Sequence, residues 1–190
     1  MVDRFSELQD VVARAIRTRG RKTSHTGVFI IGRLHYEGPA YPNQLYRELK
    51  GFLSEVDESL VPTDDDATRK YVWALEELDV IREATLELWL DDQLTREDIL
   101  TPKHLNSDED FSDLSFSELA ELPFSRNYYV LNDDVDLGWL DATDEQIIAS
   151  LQGFQSADPS GLDEFMRDTA GIPESIIAPY RVEWGSSSPR

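Results

Sequence analysis

GVFIIGRLHYEGPAYPNQLYREL, residues 27–49, leaves the backbone few choices. Val28, Ile31 and His35 recur at helical spacing, with Phe29 beside Arg33, so Gly27 to Tyr36 predicts an apolar helix. That spacing puts His35 on the core face. Proline disfavours helix at the residue before it, and Glu37-Gly38-Pro39 therefore ends the segment. Pro42 then suits the first position of a second helix, where its missing N–H costs nothing. Leu45, Leu49, Phe52 and Leu53 give this second helix a buried face.

The flanking stretches extend the pattern. Over residues 3–19, Phe5, Leu8, Val12 and Ile16 fall on one stripe while Arg4, Arg14 and Arg17 fall elsewhere, which predicts an amphipathic helix. Gly20 stops it, and Arg21-Lys22-Thr23-Ser24 is a polar connector. After Pro62, Thr63 or an early aspartate caps a third helix, with the remaining carboxylates of Asp64-Asp65-Asp66 near its positive end. Val72, Leu75 and Leu78 form its apolar stripe. Val80-Ile81 and the alternation Leu86, Leu88, Leu90 are expected as strands. The capping boxes Ser115/Glu118 and Thr143/Gln146 predict helices near 116–122 and 144–154, with a strand at Tyr128-Tyr129-Val130-Leu131 between them. A last helix near 161–170 and an extended segment from Ile176 to Trp184 follow.

Helix, turn, helix, loop, helix and then strands is the order of a winged helix. GVFIIGRLHYEGPAYPNQLYREL followed by VWALEELDVI resembles winged helix-turn-helix regulators of the PadR-like type. Such proteins have an apolar first helix, a Gly-Pro turn and a leucine six residues after the proline, here Gly38-Pro39 and Leu45. Their third helix has the form L-x-x-L-E-x-x-G-h-I. Val72, Leu75, Glu76, Asp79, Val80 and Ile81 fit it, with aspartate in place of glycine. The resemblance spans roughly residues 24–90 and implies DNA binding. The family's basic wing turn has only Arg82-Glu83-Ala84-Thr85 as its counterpart.

Charge bears directly on that implication. Aspartate and glutamate number 38 against 18 lysines and arginines, for a net charge of −20 with no cysteine. Only four of the basic residues are lysine. An acidic, lysine-poor composition is similar to that of proteins from salt-loving archaea. At about 1 M salt the Debye length is near 3 Å, so carboxylates barely repel one another or a polyanion. The charge is also uneven: residues 1–50 hold nine basic and five acidic residues, and residues 51–190 hold nine and 33. Arg14, Arg17, Arg19, Arg21 and Lys22 form one basic cluster suited to phosphates. On the third helix Arg69, Lys70 and Trp73 face outward, where arginine can meet guanine and lysine a phosphate.

Other chemistries find little footing. His25, His35 and His104 are too scattered for a metal site by spacing, and the absence of cysteine removes thiolate zinc. Asn132, Asp134 and Asp136 mimic the start of a calcium loop, but its sixth position is Leu137 and its twelfth Thr143. There is no glycine-rich phosphate loop and no Gly-x-Ser-x-Gly elbow. No cofactor, no metal and no enzymatic activity are expected, and no apolar run is long enough for a membrane.

The fold class expected is α+β, mainly helical: an N-terminal amphipathic helix with a basic end (1–23), a winged helix (24–92), an acidic linker (93–113) and a small acidic α+β region (114–190). Aromatic residues from Phe111 to Trp184 argue that this last region is folded. The expected function is a winged-helix DNA-binding regulator of a halophilic archaeon or its virus or plasmid, cytoplasmic and partnered by double-stranded DNA. The alternative is a non-catalytic assembly or adaptor protein, such as a viral structural subunit located in the virion. It would use the winged helix for a protein partner or for self-association into a homo-oligomer.

Overall fold

The computed structural model describes residues 3–19 and 25–153, apart from residues 78, 108, 136 and 142. The expected helix near 161–170 and the segment 176–184 lie outside them. Helix α1 (Arg4–Arg19) is followed by α2 (His25–Glu37), α3 (Pro42–Val56), a 3-10 turn (Glu58–Leu60) and α4 (Asp66–Glu77). Strand β1 (Ile81–Glu83) leads into α5 (Thr85–Leu90), α6 (Arg96–Ile99), α7 (Pro102–Leu105) and α8 (Phe116–Glu121). Strand β2 (Tyr129–Leu131), a 3-10 turn (Gly138–Asp141) and α9 (Asp144–Gly153) complete the described chain. The result is a mainly helical α+β protein with a two-stranded antiparallel sheet. No described helix is long and apolar enough to cross a membrane.

The central element is α2, whose residues from Gly27 to Leu34 are all buried. Its alternate faces meet α1 on one side and α3 and α4 on the other. Gly32 lets α1 approach closely, since a Cβ there would lie 2.3 Å from Leu8 Cδ2. Phe29 joins the layers, edge-on to Phe5 at 5.4 Å and stacked on Phe52 at 5.6 Å. The expected stripe of α4 is buried through Val72 and Leu75, while Glu77 is exposed. His35, by contrast, is exposed against the ring of Tyr36. The buried span of α2 ends at Leu34, one residue before it, and includes the charged Arg33.

Arg33 is a buried charge with a complete set of acceptors. Its Nε lies 2.7 Å from Glu48 of α3 and 2.8 Å from Glu37, and its Nη1 donates to the Gly38 carbonyl at 3.1 Å. Gln44 adds a hydrogen bond to Glu48 at 2.9 Å. These bonds fix the turn between α2 and α3, where Gly38 adopts φ +83°. The chain that leaves the turn carries Ala40 into a bridge with Tyr129: each residue's N–H donates to the other's carbonyl. β2 in turn pairs with β1 in the register Ile81–Leu131, Arg82–Val130 and Glu83–Tyr129. β2 therefore lies between Ala40 and β1.

Asp79 has φ +56° in the turn that closes α4, with the Val80 N–H donating to the Leu75 carbonyl at 2.9 Å. The left-handed backbone is the one glycine adopts most easily and aspartate tolerates.

Two expectations for the following segment are corrected. Leu86, Leu88 and Leu90 belong to α5 and not to a strand: Thr85 and Leu88 are buried one helical turn apart, and Leu86 and Leu90 are exposed together. Three alternating leucines fit either period, and burial of the i, i+3 pair decides for the helix. The partner of β1 is instead β2, some 50 residues later. The stretch 93–113, expected as a linker, contributes α6 and α7 and buries Ile99 and Leu100 against Leu119. The helices at 116–121 and 144–153 follow the capping boxes, and the side chains of both boxes are hydrogen-bonded. Leu140 and Ile147 enter the same core as α1 and α2, and Arg14 pairs with Asp144 at 2.7 Å.

Two measurements follow from this packing. Leu75→Ala should cost roughly 2–5 kcal/mol in denaturant unfolding, whereas exposed Glu77→Ala should be close to neutral. Arg33→Ala should cost about 2–3 kcal/mol, below the roughly 3–5 of a fully buried pair, because Glu37 and Glu48 keep contact with water. Equal effects at Leu75 and Glu77 would contradict the helix phase.

Candidate nucleic-acid interface

Beside α4 the molecule has an open groove of about 870 Å³. One wall is built from the start of α3 and the outer face of α4, and carries Tyr41, Arg47, Arg69 and Trp73. The other comes from the segment between β1 and β2, through Thr101–Lys103 and Phe124–Asn127. Tyr129 lines it from the sheet. Four cations face the groove, Arg47, Arg69, Lys103 and Arg126, with Asp65 as the one carboxylate.

Each cation is placed by local bonding. Arg69 pairs with Asp65 one turn back and donates to Asn43 Oδ1 at 3.2 Å. Arg47 donates to the Asn43 carbonyl and to the Tyr41 hydroxyl. Arg126 donates through Nη1 to the carbonyls of Glu97 and Asp98, both at 3.2 Å, and its guanidinium lies 4.9 Å from the Tyr41 ring centre. Lys103 Nζ sits 3.9 Å from the centre of the Phe124 ring. His104 holds that wall together. Its Nδ1 accepts from the Thr101 N–H at 3.1 Å, and its Nε2 meets the Pro123 carbonyl at 2.8 Å. The tautomer with its proton on Nε2 satisfies both contacts.

Ion pairs occur both inside the groove and outside it. Arg4, Arg14, Arg33, Arg69 and Arg82 each form an ion pair with a carboxylate. Among the described residues Arg47, Lys103 and Arg126 in the groove have no carboxylate within ion-pair distance, and neither do Arg17, Lys50, Lys70 and Arg96 outside it. What sets the groove apart is that three such cations gather in one place. Trp73 is 55% exposed and Phe124 69%, and both line the groove. Phe124 also has φ +69°, a left-handed conformation rare for a bulky side chain. Burial, with nearby Glu76 and Glu83, holds the Tyr129 phenol above its ordinary range, so it lines the site as a neutral group.

The residues singled out in the sequence are divided by this arrangement. Arg69 and Trp73 line the groove, and Lys70 is exposed on the same helix without lining it. Arg17 is exposed on α1 and Arg14 is bound to Asp144, and neither lines the groove. Arg19 is the last residue of α1, while Arg21 and Lys22 lie outside the described residues. Sequence reasoning passed over Arg47, Lys103, Arg126 and Phe124. Their sequence surroundings gave no distinguishing signal: those three cations are among the ten of 18 basic residues with no carboxylate three or four positions away.

The groove has the means to bind and orient an anion with planar rings. Among the described residues no three acidic or histidine side chains converge to hold a metal ion. Asn132, in the calcium-like stretch, donates to the Asp79 carbonyl at 2.6 Å and so braces the end of α4. Comparison with protein-family models, with curated proteins and with solved structures finds no match to this chain.

Proposed function

We propose that the protein is a winged-helix DNA-binding regulator adapted to concentrated salt, of the kind a halophilic archaeon or its virus or plasmid would carry. The observation that carries this reading is the groove beside α4. Unpaired cations converge there on a surface otherwise dominated by carboxylates. The topology supports it as well. α2, α3 and α4 pack as three helices, and β2 lies between Ala40 and β1, which is the strand arrangement a winged helix uses. In this reading α4 is the recognition helix, with Arg69, Lys70 and Trp73 outward. The wing between the two strands is replaced by residues 84–128, and their inner edge forms the second wall of the groove.

The second reading, a non-catalytic assembly or adaptor protein, has its own observation. Leu86 and Leu90 are 51% and 70% exposed on α5, flanked by Glu83, Glu87 and Asp91. An apolar pair set among carboxylates suits a protein contact and repels phosphates.

Salt tests the first premise. With 33 acidic residues against nine basic ones over residues 51–190, dilute buffer exposes self-repulsion that concentrated salt screens. Thermal midpoints should rise substantially from dilute buffer to multimolar potassium chloride, and a flat series would remove the halophile premise. DNA binding is tested with duplex oligonucleotides at salt concentrations that keep the protein folded. Replacing Arg17, Arg19 and Arg21 with alanine should weaken all sequences alike, since phosphate contacts carry no sequence information. Arg69→Ala should cost about 1–3 kcal/mol on a preferred site and relax discrimination there. Loss of no duplex affinity in either variant, with a co-purifying protein released by Leu90→Asp, would favour the adaptor.

A further inference from the structure

The groove is a cleft with two walls, and that shape narrows what it can hold. A rigid duplex is read by an element that projects into its groove and is framed by backbone contacts on both sides. Here α4 faces an opposing wall, Thr101–Lys103 and Phe124–Asn127, across a space of about 870 Å³. A strand with its bases unstacked can reach both walls of such a groove at once.

The side chains agree with the shape. Proteins that bind single strands join a cationic track for the backbone to aromatic faces on which bases stack. The cleft has the track in Arg47, Lys103 and Arg126, free of carboxylate partners among the described residues. It has the faces in Trp73 and Phe124, among the most exposed large apolar side chains described. Phe124 is held in a left-handed backbone, with Lys103 against its ring. Packing does not account for it: the ring enters none of the buried clusters. A cationic groove without aromatic faces would suit any polyanion, and exposed rings without cations would suit an apolar partner. Together they select a ligand that alternates negative charge with planar rings.

We propose that this groove binds single-stranded nucleic acid, with phosphates along Arg47, Lys103 and Arg126 and bases stacked on Trp73 and Phe124. The proposal rests on the nucleic-acid reading of the same site and specifies the strand state that it takes.

The probe is a fluorescently labelled oligothymidylate of about 12 nucleotides, within the roughly 4–16 that compact single-strand sites cover. Its anisotropy is followed with the full chain in potassium chloride that keeps the protein folded, beside a duplex of equal length and a polyglutamate. The oligothymidylate should bind more tightly than either competitor. Trp73→Ala and Phe124→Ala should each weaken it roughly tenfold or more, and Phe124→Tyr should restore it. Phe124→Gly is the decisive variant. It relieves the left-handed backbone, so the thermal midpoint should hold or rise while binding falls as it does for alanine. Lys103→Gln and Arg47→Gln should each flatten the salt slope by about 0.7. Duplex binding that exceeds single-strand binding and ignores Phe124→Gly would overturn the proposal and leave the DNA-binding reading standing. Polyglutamate bound as well as the oligonucleotide, or neither nucleic acid bound at all, would overturn both.

Discussion

The position of everything around the groove depends on Arg33. A guanidinium buried between α2 and α3 must be neutralised and hydrogen-bonded, and the set that does so is Glu37, Glu48 and the Gly38 carbonyl. Satisfying the charge fixes the end of α2, the turn and the face of α3 in one stroke. The turn then presents Ala40 at the height where Tyr129 can pair with it. Through that bridge β2 is brought alongside β1, and Arg126 and Phe124, just before β2, face the outer surface of α4. A hydrophobic contact at the same place would be as stabilising but not directional. The ion cluster aims the chain.

The surface follows a second rule, which is the scarcity of positive charge. Where cations are few and acids abundant, several cations find a carboxylate, as Arg4, Arg14, Arg69 and Arg82 do. Exposed pairs of this kind contribute little to stability, and less in strong salt. Arg47, Lys103 and Arg126 in the groove are held differently, by backbone carbonyls, a tyrosine hydroxyl and aromatic rings. Such neighbours fix a cation in place without cancelling its charge. In concentrated salt, where long-range attraction is screened, ligand contact depends on groups already standing within bonding distance. Pre-positioned cations and stacking surfaces are what then retain their value.

Much of the helical framework was legible because it is written in short-range chemistry. The break at Glu37-Gly38-Pro39, Pro42 at the first turn of α3, the stripe of Val72 and Leu75 and the two capping boxes each act within a few residues. What lay beyond reach depends on partners distant in the chain. The leucines of α5 alternate over too few positions to separate two periods, and Ala84, Leu88 and Tyr128 come together only in the folded protein. His35 was misplaced because periodicity gives a face and not the depth of its neighbours. Arg69 and Trp73 could be found from the phase of α4. Arg126 and Lys103 belong to a segment whose return to α4 is set by sheet pairing, which nothing in their own surroundings announces.

That pairing also orders events in time. The bridge from Ala40 to Tyr129 closes a loop of nearly ninety residues, while the packing of α2, α3 and α4 joins segments close in sequence. Local helical contacts form quickly, and distant strand pairs must first overcome the entropy of loop closure. A nascent chain can therefore pack α2, α3 and α4 together while the opposing wall of the groove is still unmade. Arg47, Arg69 and Trp73 then stand on an open helical face, and Lys103, Phe124 and Arg126 arrive with the last strand. The site matures after the three helices have packed. Ligand affinity should therefore lag behind helix formation during refolding, which makes binding a late reporter of a fold that spectroscopy would score as finished.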